Sequence, residues 1–514
     1  MADITYRANL KSTYYPMLSE LLGRTVIVRG QDQNAVPNVT TKEDFDASAG
    51  IPQILYAHNV IPTTEGFRSV TYTEYAAAQF PAGSAPSRVF TIRDGAGNTA
   101  HLVMTASGAL FTMDTGTSSW DTPIGAPTPT DIASTRITTA FISGVTYIYF
   151  SNYGCYSLDI TTNTLTPVTL TGLDPTEITG ILAHRGYLLA HSDTELSWSS
   201  TIDPTDFTPS EETGAGGGAI EGLLGTVVKV QELFGGFVIF STGGAISVVS
   251  SDNINYPFTL SPLPGAGGLI DPDFVTADPG TGSIYAYTTS GLQAVSIRQA
   301  TLVFPEVTDF ISGSRFEDFD ENFLTFSFTE TNGAPIRKRL SLVSNRYILL
   351  SYGVSSLTHC LYYDISLKLW GKLRLTHADV FELEIYQPGL QETQKKSIAF
   401  LSDTGRITVL NSDIDEDRSG VVVLGRYQYV RSRLLQLQQV EIENLKSTHT
   451  VDVYDLPSLN GKTFLPALNG YLVETADQSR KYNFHNTALN HAILLKGSFN
   501  AVTLVLNFNV AGSR

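Results

Sequence analysis

Between about Arg88 and about Gly420 the chain repeats itself in shape rather than in letters, with a period of about 40 to 50 residues. The first unit reads RVFTIRD, TAHLVMT and ALFTMDT with Gly- and Asn-containing turns between them, and it closes at Trp120. The second, Ile137 to Leu170, keeps that rhythm with a tyrosine-rich second strand, VTYIYFS. A third runs from Glu177 to about Phe207, a fourth starts near Val227 with VVKVQELFGGFVIFSTGGAISVV, and a fifth starts near Phe274. After a longer insertion at about 310–338 come a sixth unit, LSLVSNRYILLSYG onward, and a seventh from about Lys396. Aligned on the middle turn, the marks fall at Gly108, Gly154, Asp193, Gly243, Gly291, Ser356 and Gly405. A small sheet of this kind cannot bury both faces alone, so such units stack radially around an axis. The expectation is an all-β chain built on a β-propeller of about seven blades, with six or eight as the neighbouring counts.

Composition supports a β protein, with 26 Phe, 24 Tyr and 43 Gly against 4 Met. The units divide the chain into an N-terminal arm or small subdomain at 1–85, a propeller at 86–420, and a C-terminal β domain at 421–514. Within the arm, Pro16 to Gly23 reads as a short helix, and a strand from Leu55 to Ser69 is a candidate to complete the last blade. The C-terminal part alternates like a small antiparallel sandwich. Its last strand, Val502 to Val510, sets Val502, Leu504, Leu506 and Phe508 on one face.

Asp and Glu outnumber Lys and Arg by 50 to 33, the net charge is −17, and charged residues make up 16% of the chain. Grip on a phosphate backbone comes from Lys and Arg displacing counterions. No basic run exceeds the triplet Arg337, Lys338 and Arg339, so nucleic-acid binding is not expected. An acidic surface serves solubility, the commoner reason for such a balance, and it also suits a wall along which DNA slides without sticking. Low charge with many aromatics also fits a surface occupied by neighbours, and oligomerisation is expected.

Each pattern that invites chemistry falls short of its motif. The run GAGGGA, Gly214 to Ala219, lacks the strand before and the helix after that a dinucleotide loop needs, and reads as an inter-blade loop. Asp413, Asp415 and Asp417 have the alternate spacing of a calcium loop without the turn glycine, and Leu424 stands where the bidentate acid belongs. A solvated inter-domain hairpin is the stronger reading. In RFEDFDENF, the acids Glu317, Asp318, Asp320 and Glu321 interleave with Phe316, Phe319 and Phe323 at helical spacing, which predicts an amphipathic helical turn. Ser402-Asp403-Thr404-Gly405 carries its aspartate one place early for a sialidase box, and no Trp follows. Cys155 and Cys360 lie in different units, and no histidine pair has metal-ligand spacing. No catalytic, cofactor or metal site is expected, nor a membrane span.

The stretch IPQILYAHNVIPTTEGFRSV, Ile51 to Val70, resembles the opening of structural tail proteins of short-tailed bacteriophages, and the order of parts does too. The family is the tail nozzle, or tail-hub (tail tubular), protein. The resemblance implies a homohexameric ring in the virion tail, made in the host cytoplasm, that conducts DNA out of the capsid. It implies neighbours on both sides, adaptor or portal-side proteins and tail fibre or needle proteins, and passage of DNA without specific binding. The insertion at 310–338 and the loop Ser261 to Asp273 are candidates for a subunit interface or a channel gate. The rival is a carbohydrate-binding or glycan-hydrolysing propeller with Trp120, Trp198 and Trp370 as stacking platforms, although core-capping is the commoner role for such aromatics. A third class is an intracellular scaffold propeller.

Overall fold

The computed structural model describes residues 3–9, 26–28 and 54–511, except for 65, 76–84, 94–98, 106, 115–118, 128–134, 252, 254–256, 279–281, 304–314, 321–323, 331–335, 345, 368, 386–394, 412–419, 430–433, 444–450, 459–464, 477–478 and 502. Within these residues the strands sort into seven successive meander sheets, a hairpin and two further sheets, and the helical element is a single 3-10 turn at Pro272–Phe274. The blades occupy 86–121, 137–168, 180–219, 227–262, 275–302, 337–377 and 379–411. The chain is therefore all-β, and its body is a seven-bladed propeller.

Radial stacking is written in the burial of each strand. The second strands, such as Val145–Phe150 and Gly236–Ser241, are buried at nearly every position because a neighbouring blade covers each face. This explains their unbroken apolar runs, where a half-buried strand would alternate. Fourth strands such as Gly216–Ala219 and Phe258–Pro262 are mostly exposed. The hairpins joining first and second strands turn tightly: Ser143 and Gly144 have φ of 52° and 80°, and Arg185 and Gly186 have 46° and 84°. Positive φ at both central residues matches the twist of the flanking strands.

The ring closes with chain from its N-terminal side. Thr71–Tyr75 pairs antiparallel with Ile407–Asn411 as the fourth strand of the seventh blade. The first strand of that blade, Asp379–Ile385, lies beside the first strand of the first blade, Pro86–Arg93. Phe381, Leu383 and Leu401 of blade seven pack with Val103, Phe111 and Met113 of blade one. Trp120 Nε1 donates to the Gly405 carbonyl at 3.3 Å across the same seam.

The described strands within the N-terminal 85 residues, expected as an arm or small subdomain, pair with the C-terminal domain and with blades six and seven. Asp3–Asn9 is an edge of a five-stranded sheet with Thr503–Ala511, Leu434–Glu443, Ser479–Ala488 and Tyr471–Ala476. Val26–Val28 and Ile54–His58 both pair with Gly420–Tyr429 in the facing sheet of the C-terminal domain. Leu504, Leu506 and Phe508 are buried between the two sheets, as the alternation of the last strand implies. The stretch that follows, Val60–Pro62 and Phe67–Ser69, extends the sheet of blade six and then pairs with Asn500–Ala501. Backbone satisfaction dictates this sharing, because lone strands must find partners. Local periodicity cannot reveal a partner at the far end of the chain.

The helical turn expected at RFEDFDENF is instead the first strand of a hairpin, Arg315–Asp320 against Thr325–Glu330. The partner segment TFSFTE is made of β-formers, and the register sets Phe319 opposite Phe326 and Phe316 opposite Thr329. Backbone pairing with this partner overrides the helical spacing of the phenylalanines. Pro16 to Gly23 and the Asp413, Asp415 and Asp417 loop lie outside the described residues.

Candidate functional site

Two places bring charged or polar residues together in ways the sequence does not show. The first lies where the first strands of the blades begin, around the propeller axis. Arg339 enters on the first strand of blade six, and its Nη1 meets Asp379 Oδ1 of blade seven at 2.8 Å. Its Nη2 meets Asp273 Oδ2, just before blade five, at 3.0 Å. Further donations from Arg339 reach the carbonyls of Ser87 at 3.2 Å and Ala378 at 3.1 Å. Arg88 of blade one pairs with Asp273, although blades one and five are not neighbours in the ring. Lys229 of blade four donates to the carbonyls of Pro272 and Val275, both at 3.2 Å. Arg136, at the start of blade two, reaches the Val228 carbonyl at 3.5 Å.

These contacts cross the axis, so this end of the propeller's own channel is filled by side chains. Burial works against both signs of charge, and pairing decides which survives. It pulls the Lys229 ammonium down to about 8, Arg88 adding to the effect and Asp273 and Asp271 opposing it. Burial alone would raise Asp273, but Arg339 and Arg88 hold its carboxyl at about 2. Arg339 likewise stays charged against burial, because Asp379 and Asp273 outweigh the desolvation. The network links residues of blades one, four, six and seven to the segment just before blade five.

The second place is between the sheets of the C-terminal domain. His491 and Asp455 both have side chains with 0% exposure, with Nδ1 and Oδ2 3.0 Å apart. His491 Nε2 lies 2.9 Å from the Leu435 carbonyl, and Asn486 Nδ2 donates to Asp455 Oδ2 at 2.9 Å. With a carboxylate at one nitrogen and a carbonyl at the other, a ring carrying both protons satisfies both contacts. Burial disfavours that cation, and the Asp455 charge and the hydrogen bonds reverse the effect, raising the His491 pKa above its ordinary value.

Elsewhere the candidate residues are engaged in packing. Trp198 Nε1 donates to the Gly214 carbonyl at 2.9 Å, and its ring packs edge-on to Phe258. Trp370 is buried against Tyr363. Three of the glycines in GAGGGA lie in Gly216–Ala219, the exposed outer strand of blade three. A Cβ at Gly217 would sit 2.7 Å from Ser197 Oγ and one at Gly216 3.0 Å from the Trp198 ring, and this close approach favours the glycines. Ser402 to Arg406 form a tight turn closed by Ser402 N–H to the Arg406 carbonyl at 2.8 Å.

The loop Ser261 to Asp273 is pinned along its length. Leu263 N–H and Leu269 N–H donate to the carbonyls of Ala245 and Ser241, Gly267 N–H to Gln293 and Gly268 N–H to Thr289. A free gate would lack those bonds. Cys155 and Cys360 are buried, and burial pushes both thiols up to about 12. Among the described residues no group of three His, Cys, Asp or Glu is arranged to hold a metal, and no helix is long and apolar enough to cross a membrane. A cavity of about 260 Å³ between blade two and the segment that leads from it to blade three is lined by Tyr149, Tyr153, Tyr156, Val168 and Pro175. Tyr149 O–H already donates to the Pro175 carbonyl at 2.8 Å, and the space is below the roughly 300–1,000 Å³ of small-molecule sites.

No family model and no curated protein matches the chain. Among solved structures it is similar to the extracellular domain of a hybrid two-component system from B. thetaiotaomicron, at 12% identity and a TM-score of 0.40, covering 74% of this chain and 47% of that one. It is also similar to YCF48 from Cyanidioschyzon merolae, at 12% identity and a TM-score of 0.36, covering 65% and 98%. The WD40 β-propeller domain of Doa1 is similar at 8% identity and a TM-score of 0.38, covering 67% and 98%. The chain spans less than half the length of the B. thetaiotaomicron domain. Likeness of this degree carries no argument about function, and the propeller rests here on strand order and burial.

Proposed function

We propose that this chain is a structural subunit of a homohexameric ring, the nozzle at the distal end of a short-tailed bacteriophage tail. In this reading it docks adaptor or portal-side proteins on one side and tail fibre or needle proteins on the other, and genomic DNA passes without being held. The observation that carries the reading is the position of Ile51 to Val70, the stretch that resembles such tail proteins. It is the joint of the molecule. Ile54–His58 belongs to the sandwich, and Val60–Pro62 and Phe67–Ser69 to the sheet of blade six. Asn59 between them has a φ of 53°, and its Oδ1 accepts from Arg374 N–H at 2.9 Å and Tyr72 O–H at 2.7 Å. One continuous core runs from Phe240 and Leu292 through Phe67 to Leu424 and Leu506. A ring that keeps its shape while a genome leaves needs its two bodies held as one in this way.

Two further features support the reading. With the propeller axis filled, a conduit would have to lie between copies. The net charge of −17 then disfavours DNA sticking to its wall. Native mass spectrometry and negative-stain imaging, with and without the adaptor protein, test it. A ring near six times 55.8 kDa is the expected result, and a strict monomer under both conditions overturns the reading.

A further inference from the structure

Among the described residues the five-stranded sheet of the C-terminal domain ends in Asp3–Asn9 on one side and Tyr471–Ala476 on the other. At the second edge Tyr471, Leu472 and Val473 are 80%, 51% and 58% exposed, and Leu468 and Leu465 nearby are 52% and 41% exposed. Successive residues of a strand point to opposite faces, so a strand on a sandwich should bury every second one. Here all of Tyr471 to Glu474 are exposed, with Val473 bulged out of the pairing to the neighbouring strand. An apolar edge strand with neither Lys nor Pro is a template for another strand.

The register identifies which strand. Followed across the sheet, one row reads Tyr6, Leu506, Val440, Tyr482, Leu472, and the next reads Arg7, Val505, Glu441, Lys481, Glu474. The row below ends in Thr5 and Tyr471. Every neighbouring pair is antiparallel, so in a sheet of five the two edge strands run in the same direction. A rotation about an axis along the strands therefore brings Asp3–Asn9 of one copy beside Tyr471–Ala476 of the next as a parallel pair. With the rows kept level, Tyr6 falls beside Leu472 and Arg7 beside Glu474. The second row already alternates in sign: Lys481 Nζ lies 3.9 Å from Glu441 and 3.2 Å from Glu474, which is 59% exposed. Arg7 from the next copy continues that alternation.

The geometry points to a head-to-tail interface in which the strand Tyr471–Ala476 of one copy pairs with the strand Asp3–Asn9 of a second copy. This deepens the ring reading and rests on it. A heterologous contact of this kind repeats around a closed ring, whereas two copies of the Tyr471 edge paired with each other would stop at a dimer.

Charge exchange tests it on the full chain. Arg7→Glu and Glu474→Arg each set like charges side by side, and each is expected to weaken assembly by about fivefold per junction in sedimentation velocity. The double variant restores the opposite pair and is expected to assemble as the parent does. Thr5→Cys/Tyr471→Cys supplies a second measurement: oxidation should give a ladder of covalent multimers, since the native thiols are buried. If the parent forms rings while the single exchanges assemble unchanged, the double shows no recovery, or the cysteine pair gives no ladder, this interface is wrong and the ring reading stands. Covalent dimers from Tyr471→Cys alone overturn it in favour of the two-fold pairing. A parent that stays monomeric with and without the adaptor overturns the ring reading and this interface together.

Discussion

Arg339 and Asp379 meet at 2.8 Å across the seam between blades six and seven, with only 11% and 5% of their side chains exposed. Asp379 is fixed from two further sides, by Val380 N–H on Oδ1 at 2.8 Å and by Val89 N–H of blade one on Oδ2 at 2.7 Å. One guanidinium and one carboxylate thus tie the last blades to the first at the point where the ring closes.

Removing the cation should loosen that closure. Arg339→Met leaves Asp379 buried without its guanidinium, and Asp273 half-buried with only Arg88 of its two arginines, a loss of about 3–5 kcal/mol for a broken buried pair. A lower denaturant midpoint followed by tryptophan fluorescence is the expected readout, since Trp120 packs at the adjoining seam between blades seven and one. An unchanged midpoint would show that the network fills the axis without holding it.

Acid should act through two neutral histidines. His377 Nδ1 donates to the Leu375 carbonyl at 2.6 Å and its Nε2 faces Ser351 Oγ at 2.8 Å, while His191 Nδ1 faces Thr179 Oγ1 at 3.0 Å. Burial depresses both pKa values to about 4. Unfolded histidines take up protons below about 6.5, so stability present above that pH is lost on the way down to about 4, by up to roughly 3 kcal/mol each. Replacing His377 with Gln should flatten this part of a melting-temperature profile between those limits, and a profile identical to the parent's would assign the acid loss to other groups.

The repeat was legible because blades impose a pattern on short stretches. A second strand such as GFVIFS must be apolar throughout when both its faces are covered, and Ser-Gly or Arg-Gly must turn the hairpin. What stayed hidden depends on partners far away in sequence. Asp3 pairs with Asn509, and Ser69 exchanges hydrogen bonds with Phe499. No window on the chain contains both. The axis network was hidden for the same reason: Arg88, Asp273 and Asp379 each look like a single charge near a strand end, and Arg339 like the last member of a basic triplet. RFEDFDENF misled in the opposite sense, its local helical spacing being overruled by the strand that follows it.

The joint between the two bodies should be the most mutation-sensitive apolar site. Phe67 is fully buried and meets Phe499 edge-on with ring centroids 5.9 Å apart, while Ser69 N–H donates to the Phe499 carbonyl at 2.9 Å. Phe67→Ala opens a cavity where blade six meets the sandwich, at a cost of about 3–5 kcal/mol. Limited proteolysis should then cut between the bodies under conditions that leave the parent intact. Resistance equal to the parent's would mean that the remaining strand pairs suffice.

The sandwich should respond to alkali rather than acid. His491 is held as a buried cation by Asp455, and its folded pKa lies above the unfolded value of about 6.5. A group whose pKa rises on folding adds stability that is fully present below its unfolded pKa and is lost as the pH climbs through the folded one. The sandwich should therefore weaken on the alkaline side, where His491 gives up its proton and either the Asp455 contact or the bond to the Leu435 carbonyl loses its donor. Asp455→Asn removes the charge that holds the proton. That variant should be less stable at neutral pH, by about 3–5 kcal/mol, and should show no further loss as the pH rises. The His491 ring resonance in a histidine-labelled sample provides the direct check: it should titrate above the ordinary histidine range in the parent and at or below it in the variant. A parent resonance titrating below about 6.5 would mean that burial wins over the carboxylate and that the pair is neutral.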